Sequence, residues 1–118
     1  MTKRVLTIRL GDDWRADLRK AARKASARTY QGEELVFQTP EDFFGQLTDR
    51  RWSLVRTIQG KGALSIREVA RRVDRDFKRV HEDVTALVDL GLLEKGEGGV
   101  ECPFQRIHVD LELRAAAA

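Results

Sequence analysis

The stretch SIREVARRVDRDFKRVHEDV, Ser65 to Val84, limits the possible folds more than any other part of the chain. Ser65 is placed to cap a helix, and Glu68 follows three residues on, as in a capping box. Ile66, Val69, Ala70 and Val73 recur at the spacing of one buried helical face. The small Ala70 permits another helix to cross closely. Asp74 and Arg75 break the pattern and Asp76 can cap again. Phe77, Val80, Val84, Leu87 and Val88 then gather on one side of a second helix. At about 100° per residue, Lys78, Glu82, Thr85 and Asp89 fall near the opposite side, with Arg75 and Arg79 flanking it. Two helices joined by a tight turn, with cations at the N-terminal end of the second, fit two descriptions. One sets the second helix in a DNA major groove; the other is a piece of a generic bundle with a solvated basic face.

The flanks favour the first description. Trp52, Val55 and Ile58 predict a helix from Asp49, its expected cap, to the QGKGAL break. Beyond the second helix Gly91 is a stop, and LLEKGEGGVECPF has two short apolar runs around a Gly-rich turn, the pattern of a hairpin. In this order the chain resembles the winged helix-turn-helix transcriptional regulators of the MarR and ArsR type. Their recognition helix runs into an LxxxGLL signature and then a wing; here that is LVDLGLL, Leu87 to Leu93. The resemblance covers about residues 49 to 104. It departs at Asp74, where such turns often carry Gly, and at Arg75, where they are often apolar, although Asp tolerates left-handed dihedrals better than most residues.

The resemblance implies an α+β fold: a winged helix-turn-helix core over residues 49–104, an N-terminal strand-helix-strand extension over 1–48, and a C-terminal strand and tail over 105–118. It implies a homodimer on double-stranded operator DNA, with half-sites about 10 bp apart. The contacts would come from Ser65, Arg67, Arg71, Arg72, Arg75, Lys78, Arg79 and Glu82, with Lys95 in the wing. Some winged helices bind proteins instead.

In the extension, RVLTIRL alternates, with Leu6, Ile8 and Leu10 on one side, and predicts a half-buried strand ended by Gly11. Asp12 or Asp13 can cap a basic amphipathic helix to about Arg28, with Trp14, Leu18, Ala21 and Ala25 as its apolar stripe. LVFQT predicts a second strand, able to pair with the first through the crossover, and TPEDFFGQL a short helix capped by Thr39 with Pro40 first. At the other end, RIHVDLELR alternates Ile107, Val109, Leu111 and Leu113 against His108, Asp110, Glu112 and Arg114. Four such apolar residues must cover something. The strand is expected to pair with RVLTIRL or LVFQT, in the same chain or a dimer mate, bringing Asp110 and Glu112 near Arg4 and Arg9, or to dock on a partner's sheet edge. The final AAAA is assigned no role.

Charge is laid out in blocks. Residues 1–29 carry nine basic and three acidic groups, 30–49 none and five, 50–80 ten and three, and 81–118 three and eight. Basic blocks suit phosphates, and acidic blocks suit a basic partner, although a solvated mixed surface gives the same counts. The layout, with the string LSIREVARRV...RVHEDV...LGLLE, also resembles small prokaryotic regulators that act as antitoxins. This implies a repressor of its own operon that neutralises a small protein toxin. The alternatives are a regulator without a toxin and a winged-helix protein-interaction module.

Other classes are disfavoured. With 42% hydrophobic and 35% charged residues the chain is expected to fold, and no apolar run nears the ~18 residues that span a bilayer. Arg9 and Asp12 stand where a secretion leader needs apolar residues, which predicts a cytoplasmic protein. Cys102 is alone, and with only His81 and His108 no zinc cage is spelled, so neither metal nor cofactor is expected. No phosphate-binding Gly loop or triad spacing points to an enzyme. Cys102 reads as wing packing, His81 as a rim residue and His108 as the polar face of a strand. VLTIRLGDDWRADLRKAARKA also resembles the opening of a ribbon-helix-helix repressor, but GEELVFQTP intervenes where that fold needs its second helix.

Overall fold

The structure, a computed structural model, describes residues 3–11, 14–27 and 29–115, with the backbone alone of Trp14. The expected caps Asp12 and Asp13, Arg28 itself and the place of the Trp14 side chain lie outside the described residues; the helix expected to reach about Arg28 ends at Ser26. The protein is mixed, with helices and two sheets: β1 (Arg4–Leu10), α1 (Trp14–Ser26), β2 (Glu33–Phe37), α2 (Pro40–Gln46), α3 (Asp49–Ile58), α4 (Ile66–Val73), α5 (Phe77–Leu90), β3 (Glu94–Gly96), β4 (Gly99–Glu101) and β5 (Phe104–Asp110). None of the described helices is long and apolar enough to cross a membrane.

β1 is the centre of a parallel sheet ordered β2-β1-β5, so the first and last of the described strands lie side by side and run in the same direction. The alternation of RVLTIRL sends Leu6 and Ile8 into the core, where they join Phe37, Phe43, Leu54, Ile58, Val84, Leu87 and Phe104. Both edges of β1 are occupied. A central strand has no free edge to form the intermolecular ribbon of a ribbon-helix-helix dimer. β5 starts at Phe104 and ends at Asp110, so the expected pairing of RIHVDLELR with RVLTIRL occurs within the chain, and Asp110 lies opposite Arg9. The strand stops before Leu111 and Leu113. Ile107 and Leu111 are half-buried, Val109 is 39% exposed and Leu113 is 75% exposed.

Two local expectations are corrected. Thr48, not Asp49, caps α3: its extended backbone lets the hydroxyl accept from the Arg51 N–H at 3.3 Å, and Asp49 falls inside the first turn, where its charge favours the helix dipole. The described part of the α1 stripe faces outward, with Leu18 60% exposed and Ala21 and Ala25 also exposed. The reason is electrostatic. The sheet face toward α1 presents Arg9 and Glu34, and the helix meets it with Asp17, bonded to Arg9 at 2.6 Å, and with Lys20 and Lys24, each 3.2 Å from Glu34. An apolar stripe laid there would desolvate those charges without pairing them.

The Leu-Gly-Leu-Leu segment has a plain geometric cause. Gly91 takes φ +95°, a left-handed cap that L side chains disfavour. The Leu87 carbonyl accepts from the N–H of Gly91 and Leu92 at 3.1 and 3.0 Å, and the turn drops Leu92 and Leu93 into the core. β3 and β4 then form an antiparallel hairpin, and Val100 bridges back to Leu64 just before α4. Gly99 sits so close to that segment that a Cβ would lie 2.1 Å from the Leu64 carbonyl oxygen. Cys102 is half-buried beside the hairpin, where burial raises its thiol pKa.

Candidate nucleic-acid interface

The turn between α4 and α5 takes three residues. Ser65 accepts from the Glu68 N–H at 3.1 Å and starts α4. Asp74 ends it at φ 53°, ψ 53°, the only non-glycine residue at positive φ among those described, so the Gly usual in such turns is replaced by a residue with modest left-handed strain. Asp76 accepts from the Arg79 N–H at 3.3 Å and starts α5. Val69, Ala70, Val80, Val84 and Leu87 are buried, so the two helices pack along the faces that periodicity predicts.

Phe77 is the exception. The 100° projection places it with the inner residues, yet it is 41% exposed. It is the first residue of α5, and the inner side of that helix is covered only from Val80 onward. Its ring carries the Arg67 guanidinium at 4.9 Å and lies 6.0 Å from the ring of His81. Phe77 is a ridge between two shallow depressions. One of about 310 Å³ is lined by Arg67, Ala70, Arg71, Asp74 and Arg75; the other, of about 460 Å³, by Lys78, His81 and Glu82. This residue was missed in the sequence because a projection does not show where a neighbouring helix ends. A larger depression of about 520 Å³ lies along α3 at Asp49, Trp52, Ser53, Arg56 and Thr57, but a single helix lines it and it holds one cation.

Ion pairing divides the cations of this surface into three groups. Arg75 turns inward to Asp83 at 2.7 Å, and Arg51 of α3 reaches the same carboxylate at 3.1 Å. All three side chains are about a fifth exposed, and although burial raises the Asp83 pKa, the hydrogen bonds from Arg75 and Arg51 outweigh it and lower the value. Arg75 therefore joins α4 to α3 and α5 and is not offered to a ligand. Arg71 and Arg72 are exposed, but both bind Glu68, which they hold at about 2. That carboxylate does not return to the Ser65 N–H, so only half of the expected capping box forms, the half made by the Ser65 hydroxyl. Arg67, Lys78 and Arg79 are exposed and have no carboxylate at ion-pair distance among the described residues. They cluster at the N-terminal end of α5, where the helix dipole adds positive potential.

Glu82 is exposed one turn further along α5, beside Lys78 and His81. Lys95 is exposed on β3, away from this cluster in sequence, and its neighbour Glu94 is tied to Arg4 at 3.0 Å. Ser65 has its hydroxyl engaged as a cap. Of the nine residues expected at DNA, the structure brings Arg67, Lys78, Arg79 and Glu82 together around the start of α5 and sets Arg71 and Arg72 beside them.

The model of the HVO_A0114 family matches residues 46–109, more than half of the chain. The chain belongs to the HVO_A0114 family. The HVO_A0114 match takes in α3, α4, α5, the hairpin and β5 almost to its end, and leaves out β1, the strand against which β5 pairs. No curated protein and no solved structure matches the chain.

Proposed function

We propose that the protein is a sequence-specific DNA-binding transcriptional repressor, a cytoplasmic homodimer and not an enzyme, built on a winged helix-turn-helix. The succession of α3, the bridge strand at Leu64, α4, α5 and the β3–β4 hairpin supports that architecture. One observation carries the function: Arg67, Lys78 and Arg79 stand without a carboxylate partner among the described residues around the first turn of α5, Arg67 resting on the Phe77 ring, while most neighbouring guanidinium groups are held by carboxylates. A recognition helix meets base edges with its N-terminal residues. Arg and Lys favour guanine there, Glu82 can accept from a cytosine amino group, and Phe77 offers an apolar face to a thymine methyl. Arg71 and Arg72 exchange Glu68 for phosphates on docking, and Lys95 follows the backbone from the wing.

The test is binding of labelled duplexes from the gene's own upstream region and shuffled duplexes of equal length, between 50 and 200 mM salt. The expected result is a preference for the upstream duplex and a log–log salt slope of about −3.6 to −5.4, for some four to six phosphates neutralised. Equal affinity for both duplexes and a slope near zero would refute the proposal.

A second, narrower reading, the antitoxin of a two-gene operon, is favoured by Phe44. This side chain is 62% exposed on α2 beside the exposed Glu41 and Asp42, an apolar anchor rimmed by acid that suits a small basic protein toxin. The neighbouring Glu33 and Glu34 are taken up by Arg4, Arg9, Lys20 and Lys24 of the same chain. If a basic protein encoded beside the gene co-purifies with wild type, Phe44→Asp should release it. Its retention by the variant would remove this surface from the contact.

A further inference from the structure

β5 is the outermost strand of the parallel sheet; among the described residues no strand pairs with its outer edge, and only at its start do the Phe104 and Gln105 carbonyls accept from the Gln59 side chain, at 3.1 and 3.3 Å. Exposed edges invite pairing unless they are short, charged or interrupted. The opposite edge, β2, has five residues and begins with Glu33 and Glu34. β5 runs for seven residues with neither Pro nor Gly. Its core-side row follows Leu6 and Ile8 of β1 in register, Ile107 beside Leu6 and Val109 beside Ile8. Ile8 is fully buried whereas Val109 is 39% exposed, so the apolar face continues past the last covered strand.

The other row reads Arg106, His108, Asp110. All three are exposed, and neither Arg106 nor Asp110 has an ion-pair partner among the described residues, since Arg9, the residue opposite Asp110, holds Asp17 and Glu34 instead. We infer that the edge is completed by β5 of a second copy, antiparallel across a two-fold axis at His108, joining two three-stranded sheets into one of six. The row is complementary to itself in that register: Arg106 lies opposite the partner's Asp110, and Ile107 opposite its Val109, each pair occurring twice. Centring on Ile107 sets Arg106 against His108, and centring on Asp110 sets two carboxylates together. A centre at Val109 sets His108 against Asp110 but leaves Arg106 opposite Glu112 and Ile107 opposite Leu111, both beyond the strand. Directly opposite residues of an antiparallel pair have Cβ atoms about 4.5–5.5 Å apart, so opposite charges attract there and like charges repel.

This inference deepens the homodimer reading above and is independent of what α5 contacts. In a Cys102→Ser background, His108→Cys oxidised with oxidised glutathione should convert most of the protein to a covalent dimer. Arg106→Cys, whose opposite residue is the partner's Asp110, should cross-link less than about a tenth as much. By light scattering, Arg106→Asp and Asp110→Arg should each fall to monomer mass, and an equal mixture of the two should regain dimer mass, because each contact then joins opposite charges again. Regain on mixing also shows that both variants fold. A wild-type monomer at tens of micromolar, equal cross-linking of the two cysteine variants, or unchanged dimer mass in both charge variants would overturn the inference. Mass and cross-linking are read without DNA, so failure of the DNA reading leaves this result standing. Conversely, a variant that turns monomeric yet binds a single half-site as wild type does leaves the DNA reading standing.

Discussion

Asp83 illustrates how one side chain determines the task of its neighbours. Its carboxylate takes the guanidinium groups of Arg51 and Arg75, which would otherwise be two half-buried cations in search of partners, and so separates structural arginines from those left free at the start of α5. Asp83→Ala leaves both charges without that acceptor, and the expected loss of stability is roughly 1–3 kcal/mol. Chemical unfolding of the variant checks this; an unchanged midpoint would show that water replaces the carboxylate at no cost. The caps at Ser65, Thr39 and Asp76 were legible because a cap is a local device, read from the first helical turn. The Asp83 pairing was not, since Arg51 is 32 residues away and no periodic pattern encodes a contact across that separation. The same limit hid the inward turn of Arg75, which the 100° projection placed beside the exposed face.

At the scale of elements, α1 is the part whose attachment is least like a hydrophobic core. Burial alone would raise the Glu34 pKa, but hydrogen bonds from Lys20, Lys24 and Arg9 outweigh it and hold the carboxyl at about 2, against 4.5 for a free one. A lowered pKa stabilises the fold above the unfolded value and loses that contribution as pH falls through the folded one. The attachment of α1 is therefore complete above pH ~4.5 and weakens toward pH ~2. Glu34→Gln should cost about 1 kcal/mol at neutral pH, and its melting temperature should converge with wild type between those two pH values. Tryptic cleavage at Lys20, Arg23 and Lys24 should also quicken with rising salt. A difference in melting temperature that is constant from pH 7 to pH 2 would contradict the ionic attachment. The sequence showed that α1 is amphipathic and basic. Which side faces the sheet depends on Arg9 and Glu34, and that choice appears only once β1 and β2 are paired.

For the whole molecule, the first and last of the described strands, β1 and β5, pair with each other, and Arg4 fastens them to the hairpin. Its guanidinium binds Glu33 of β2 and Glu94 of β3 and lies 5.1 Å from the centre of the Phe104 ring. The order of helices, hairpin and terminal strand was legible from periodicity, from Gly91 and from the alternation of Ile107 and Val109. The sheet order and the parallel direction of β5 were not, because alternation defines a strand's two faces and leaves its neighbours open. The DNA reading stands on selection of a base sequence by the cations at the start of α5 that lack carboxylate partners. Its most direct test compares wild type with the Lys78→Ala, Arg79→Ala double variant on the upstream and shuffled duplexes at one salt concentration. In the variant the ratio of the two affinities is expected to fall at least about tenfold, with melting temperature unchanged. A variant that keeps the wild-type ratio would contradict it.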